Sequence, residues 1–388
     1  MLAACFAPQP QPGAPCADGQ CPSGLVCVAA TETCERSTTV DAPPVTTDAP
    51  PSVDASDPPD PTDVPPGLAC FGAGLVSICP SSPANAPVVL DTLQIDTDTS
   101  PLCAPYSGTS PGAFCVIAGS SVSVQAVVTA VGSRPLVLLA TGSMTIDGTI
   151  DAASHRGQPA GTGGNATTCV AEAAASGLQG GPGGSFGTRG GTGGRSTDGG
   201  PGPAATAAIT VISLQGGCAG GDGAGTQPGI RGSGGGAVYL IAGTAITING
   251  TINASGAGGE PATEIAGGGG GGAGGLIGLD APSVVVVAAA QLFANGGGGG
   301  EGGTQNKDGN AGGDPPTPTA VANGGSNGAP KGGDGGDGAA GLASARSGQT
   351  GGACGRGPVG GGGGGGGAGV ILVFPAQALG GSVSPPPT

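Results

Sequence analysis

The aliphatic residues of this chain are gathered into a few islands, and glycine fills the distances between them. Val, Ile and Leu crowd Val116–Ile150, with smaller islands at Val238–Ile252, Leu276–Phe293 and Val370–Phe374. Between them lie tracts such as Gly256–Gly275 and the unbroken run Gly360–Gly367. A disordered chain has no reason to cluster β-branched residues; a folded one with glycine-rich excursions does. The clustering therefore overrides the bulk composition. Glycine and proline supply 89 and 37 of 388 residues, which by itself points to low complexity. Collagen is excluded, because the glycines keep no strict third-residue period. No apolar run approaches the roughly 18–20 residues of a membrane-spanning helix. A formal charge of −15 with only ten Lys plus Arg argues against nucleic-acid binding.

The islands repeat. Val116–Val124 matches Leu240–Ile248, and Thr145–Ala152 matches Thr247–Ala254, nearly residue type for residue type. A looser copy runs from Leu276 to Val286 and on to Leu292–Gly296; a degenerate one starts at Val370–Phe374 and ends near Val383. Each unit reads as an apolar strand, a tight turn, an alternating strand, an Asn/Asp-Gly turn and a short third strand. Along Thr145–Asp151, Ile146 and Ile150 point one way, and Thr145, Asp147, Thr149 and Asp151 the other. No island buries enough aliphatic surface to offset its own ordering, so the units must stack. The expected fold is all-β: a parallel β-helix or solenoid with long Gly-rich loops at about 153–236, 254–274 and 296–368. A β-sandwich is the alternative.

Three readings compete for the glycine loops: floppy chain, mutually packed polyproline-II-like strands, which glycine allows by its lack of a side chain, or ion binding. For the last, Gly332-Gly-Asp334-Gly-Gly-Asp337-Gly-Ala339 resembles one calcium-binding nonapeptide of RTX proteins. It departs from that pattern at Ala339, where a large apolar residue is expected, and it occurs once rather than in tandem. That resemblance makes Asp334 and Asp337 calcium candidates; no other metal or cofactor is expected.

The N-terminal part divides into a tether (1–15), a Cys-rich module (16–36) and an Asp/Pro-rich linker (37–66), ahead of the Gly-rich domain (67–388). Leu2-Ala3-Ala4-Cys5 resembles a bacterial lipobox, in which Cys5 carries the lipid, although only Met1 precedes it. Cys16, Cys21, Cys27 and Cys34 read as a two-disulfide knot of open connectivity rather than a zinc site, whose usual paired C-x2-C spacing is missing. The phrase Cys21–Cys27 resembles small EGF-like modules of secreted deltaproteobacterial proteins. The linker holds nine prolines and six Asp with no glycine and reads as an extended, disordered stalk. Of the later cysteines, Cys70–Cys79, Cys103–Cys115 and Cys169–Cys218 are expected pairs, with Cys354 left over.

Catalytic signals are sparse. The single His155 sits in a polar turn and is expected to face solvent. Gly-x-Ser-x-Gly occurs at Gly183–Gly187 and Gly324–Gly328, but neither follows a strand or opens a helix, as a nucleophile elbow requires. Asp147 and Asp151 are a candidate carboxylate pair for a polysaccharide-active enzyme. The matching repeat carries Asn249 and Asn253 at those positions, which favours a turn-and-ladder role. The whole layout resembles Gly-rich secreted lipoproteins of myxobacteria and their relatives, and the tracts alone resemble the glycine-rich repeats of mycobacterial surface proteins. The expected function is a non-catalytic structural or adhesion protein of the cell envelope. It would be extracytoplasmic, an outer-membrane lipoprotein or secreted, touching the membrane only through a lipid anchor and binding a surface ligand or matrix polysaccharide. A polysaccharide lyase or hydrolase, and a surface of flat Thr rows binding ice or mineral, are the alternatives.

Overall fold

The computed structural model describes residues 16, 21, 25–28, 33–36, 69–80, 84–104, 106–108, 114–197, 200–352 and 358–388. Cys5 with the tether, the linker 37–66 and Cys354 lie outside the described residues. The chain divides into two compact units, Met1–Asp63 and Val64–Thr388. In the first, strands Leu25–Val28 and Thr33–Arg36 pair antiparallel with Cys27 opposite Cys34. Disulfides Cys16–Cys27 and Cys21–Cys34 pin the hairpin.

The second unit is all-β, with no helix among its described residues and three parallel sheets. The first sheet stacks Cys115–Gly119, Leu136–Ala140, Ala237–Ala242, Leu276–Asp280 and Val370–Phe374. The second stacks Val88–Leu90, Val122–Val124, Met144–Ile146, Ala245–Ile248 and Ser283–Val286. The third stacks Leu93–Asp96, Val127–Val131, Thr149–Asp151, Thr251–Asn253, Gln291–Phe293 and Ser382–Ser384. The chain visits first, second and third sheet in turn, then starts the next pass.

Registered pairing builds aliphatic columns. Ile117, Leu138, Leu240, Leu279 and Val373 run up the first sheet. Val124, Ile146, Ile248 and Val286 form the second column, and Val128, Ile150, Ile252, Leu292 and Val383 the third. All three columns contribute to one core cluster. Alternation explains the second and third sheets, where inward aliphatics interleave with outward Thr, Ser and Asn.

The first sheet is covered on both faces, and every residue of Leu136–Ala140 and Ala237–Ala242 is buried. Its outer residues, Val116, Val137, Leu139, Tyr239 and Ile241, pack on Val76, Ile78, Phe186 and Leu214. This corrects one repeat alignment. Val116 pairs with Val137, and Val137 with Tyr239, so Leu240 belongs with Ile117 rather than with Val116. The corner from Ile117 to Val122 is one residue shorter than that from Leu240 to Ile246. In a strand apolar on both faces, a one-residue offset leaves the hydrophobic pattern unchanged, so sequence similarity alone does not detect it. A second correction concerns Thr145–Asp151. It is not one strand: Met144–Ile146 and Thr149–Asp151 lie in different sheets, joined by a corner at Asp147-Gly148.

A lock holds the covering segment. Asp280, buried at the end of its strand, accepts the N–H groups of Ala73 (2.9 Å) and Gly74 (2.8 Å) and the Tyr239 hydroxyl (3.1 Å). Tyr239 in turn accepts the Leu75 N–H at 2.9 Å. Burial and the adjacent Asp280 carboxylate push the Tyr239 phenol up from its ordinary value, so it remains a donor to Asp280. Tyr239 lies beside Gly278 in register, where an added Cβ would sit 2.0 Å from the ring.

The three glycine excursions all leave after a third-sheet strand and return into the first sheet. They pack against one another. Gly267, Gly270 and Ala273 donate to Ala224, Gly221 and Cys218; Gly268, Gly271 and Gly274 donate to Gly361, Gly364 and Gly367; Gly269, Gly272 and Gly275 donate to Glu260, Ala257 and Ala254. Each neighbour is therefore met every third residue, the period of a polyproline II strand. Three further tracts, at 181–184, 229–235 and 297–303, donate into this one. It thus sits among six described neighbours. Gly360–Gly367 is likewise surrounded, by tracts at 178–184, 191–194, 268–274, 297–303, 333–339 and 346–349. Because every residue faces a backbone, a Cβ on Gly363 would lie 2.0 Å from the Gly269 carbonyl oxygen, and one on Gly366 1.9 Å from that of Gly272. Of the three readings of the glycine tracts, the structure holds the packed one.

Candidate functional site

Polar side chains converge where the third sheet meets the glycine bundle. Thr149–Asp151 ends there, and the chain turns through Ser154, His155 and Arg156 into the first excursion. The His155 Nε2 lies 2.9 Å from Asp151 Oδ2, and its Nδ1 lies 3.7 Å from Asp314 Oδ2. Asp314 also accepts the N–H groups of Gly258 (2.7 Å) and Arg156 (3.1 Å), while the Arg156 guanidinium meets Glu260 at 3.2 Å.

These contacts fix the charge states. The hydrogen bonds to Asp151 and then Asp314 raise the His155 pKa to about 10 against an opposing effect of burial. Burial pushes Asp314 up, but hydrogen bonds from His155, Gly258 and Arg156 outweigh it and hold the carboxyl below its ordinary value. His155 is thus an imidazolium at neutral pH, with no free lone pair to accept a proton or bind a metal. The cluster does not fit a general base. It ties the turn after one strand, through His155, to Asp314 in a remote tract. The expectation that His155 faces solvent is corrected: it is half-buried between two acids.

Asp147 and Asp151 take different partners. Asp147 lies at the corner and accepts a 2.7 Å bond from the Asn249 side chain on the next pass. Asp151 pairs in the ladder with Asn253 and holds His155. The Thr positions form only short rows: Thr145 meets Thr247 but then Val285, and Thr149 meets Thr251 but then Gln291.

Asp334 and Asp337 lie three residues apart on a bundle strand, about 9 Å along its axis at 3.1 Å per residue. Asp337 accepts the Gly324 N–H at 3.0 Å and faces Arg346 at 3.5 Å. Among the described residues, the one group of three close ligand atoms is Cys16, Cys21 and Cys27, whose sulfurs are already in disulfides. Cys70–Cys79, Cys103–Cys115 and Cys169–Cys218 are bridged as well.

Besides Asp280, two acids with several partners escaped the sequence reading, the buried Glu301 and the half-buried Asp314. Glu301 is almost fully buried and accepts three backbone N–H bonds, from Asn310, Gly328 and Ala329, at 2.8–3.0 Å. Asp314 sits in the phrase Gly313-Asp314-Pro315, and nothing beside it in sequence marks its partners. Only a contact map would reveal either, because their partners are backbone amides or residues remote in sequence. A groove of about 380 Å³ opens elsewhere on the bundle, between segment 169–175 and the tract 218–223. No known family, curated protein or solved structure matches this chain.

Proposed function

We propose that this is a non-catalytic structural or adhesion protein of a bacterial cell envelope, extracytoplasmic and held by a lipid on Cys5. We further infer that the three sheets wind as successive coils of a parallel β-solenoid. Support for the coil is the visiting order, in which hydrogen-bonded strands are one full pass apart. The observation that carries the functional reading is the glycine bundle. Most of the chain between Ala152 and Gly369 is committed to a rigid backbone lattice rather than to a pocket with converging reactive groups. The lone imidazole lies between two carboxylates, and the two candidate carboxylates each hold a structural partner. The N-terminal phrases and the resemblance to myxobacterial Gly-rich lipoproteins supply the proposed address; a matrix polysaccharide or other surface ligand is the proposed partner.

Protease treatment of intact cells should remove the chain, and Cys5→Ala should release it from the membrane fraction. A protein fully protected in intact cells sinks the reading. Depolymerisation of an acidic polysaccharide by the purified chain, abolished by Asp151→Asn, would replace it with the polysaccharide-active alternative.

A further inference from the structure

Among the described residues, one edge of the bundle has an unfilled position. Tract 217–224 donates to 229–235 through Gly217, Gly220 and Gly223, donates to 179–182 through Gly221 and Ala224, and accepts from 267–273. Among the described residues, the amides of the remaining third of its positions are unpaired. Among the described residues, the N–H groups of Ala219 and Asp222 and the C=O groups of Gly220 and Gly223 take no backbone partner. All four residues line the 380 Å³ groove.

The opposite wall is equally bare. Residues 170–175 neither donate nor accept a backbone–backbone bond among the described residues. Yet this wall is firmly seated. Glu172 accepts the Thr206 N–H and hydroxyl, both at 2.8 Å, and the Cys169–Cys218 bridge joins the two walls at one end. Its burial has the bundle's threefold period: Cys169, Glu172 and Ala175 turn inward, while Val170, Ala171, Ala173 and Ala174 are exposed. Two walls, mostly of Ala and Gly with Val170 and the Asp222–Arg231 pair at their rim, carry unpaired backbone groups and enclose a space that would take one strand.

We propose that this groove is a docking site for a glycine-rich polyproline II segment of a partner, bound by backbone pairing. The mode parallels strand addition at a sheet edge, transferred to a threefold lattice. Carbonyls three residues apart on the guest would take the Ala219 and Asp222 N–H groups, as Glu260, Ala257 and Ala254 take those of Gly269, Gly272 and Gly275 inside the bundle. Six guest residues would span about 19 Å. Glycine is required wherever the guest faces a wall, because inside the bundle a Cβ at such positions would meet a carbonyl at about 2 Å.

The test is hydrogen exchange on the full chain with a (Gly-Gly-Ser)4 peptide at millimolar concentration. Exchange at Ala219 and Asp222 should slow several-fold, with further slowing across 170–175. A (Pro-Pro-Ser)4 peptide of the same conformation, too bulky for the lattice, should give no such protection. Ala173→Arg, on the exposed rim, should abolish the effect; Ala174→Arg serves if that variant loses its native circular dichroism. No protection, equal protection by both peptides, or protection that survives the arginine variants overturns the proposal.

Discussion

The three sheets and the glycine bundle solve the same packing problem with opposite means. In the sheets, side chains do the filling: columns of Leu, Ile and Val exclude water, and the backbone pairs only along one direction. In the bundle the side chains are gone, and backbones fill the space themselves. Each residue rotates by a third of a turn, so successive N–H groups reach three different neighbours. The sheet interior therefore tolerates a change of hydrophobic side chain if volume is kept, whereas a glycine enclosed by backbone, such as Gly363, leaves no room for one. One region depends on apolar burial and the other on complete backbone pairing, which every buried peptide group demands.

The sharpest way to break this contrast is to remove volume from a column. Leu138→Ala, in the middle of the first sheet and fully buried, should lower stability by about 2–5 kcal/mol in urea unfolding. Next is the staple of the first excursion. Cys169 and Cys218 are 49 positions apart, and replacing both with Ser should cost about 4 kcal/mol on loop-closure arithmetic, with the loss appearing first as faster exchange across 165–223. Adding volume to the bundle is the converse experiment. Gly363→Ala, with a carbonyl oxygen 2.0 Å from the new Cβ, should cost about 1–3 kcal/mol. Gly200→Ala meets nothing within 4 Å and should be neutral or stabilising by up to about 1 kcal/mol. Equal effects at these two glycines would defeat the close-packing argument.

The smallest effect concerns the joint between the two regions. The pKa of His155 is raised to about 10, so its pairing stabilises fully below the unfolded value near 6.5 and is lost as pH rises through about 10. Asp314, held low, contributes above its unfolded value and loses that contribution as pH falls. His155→Gln should cost about 1 kcal/mol or less around pH 5–6. Thermal unfolding of variant and parent should converge above pH 10; a constant difference across that range would mean that packing, not charge, sets the loss.

Parts of this contrast were legible in the residues themselves. The match of Thr145–Ala152 with Thr247–Ala254 placed true neighbours together, because half-buried strands alternate and alternation fixes register. The first-sheet match slipped by one, because a strand buried on both faces carries no such phase. Glycine density also encodes position in the bundle. Gly360–Gly367 is unbroken because it is surrounded on all six sides. Among the described residues, segment 346–352 bonds along its backbone to tracts near 331–337, 192–195 and 362–365, and Arg346, Ser347, Gln349 and Thr350 are exposed. The charged cluster was not legible: nothing local distinguishes Asp314, and the partner of His155 is set by how the tracts fold back.

All three excursions leave after a third-sheet strand and return into the first sheet, so one chain joins two materials with different thermal behaviour. The bundle's behaviour on cooling should differ from that of the sheets. Apolar burial weakens at low temperature, and its exposure raises the heat capacity on unfolding, whereas exposure of peptide groups lowers it. A lattice of paired peptides with almost no aliphatic surface contributes little to that heat-capacity change. The stability curve of the whole chain is therefore expected to be flatter than its length implies, with the glycine region holding firm in the cold where the aliphatic columns begin to loosen.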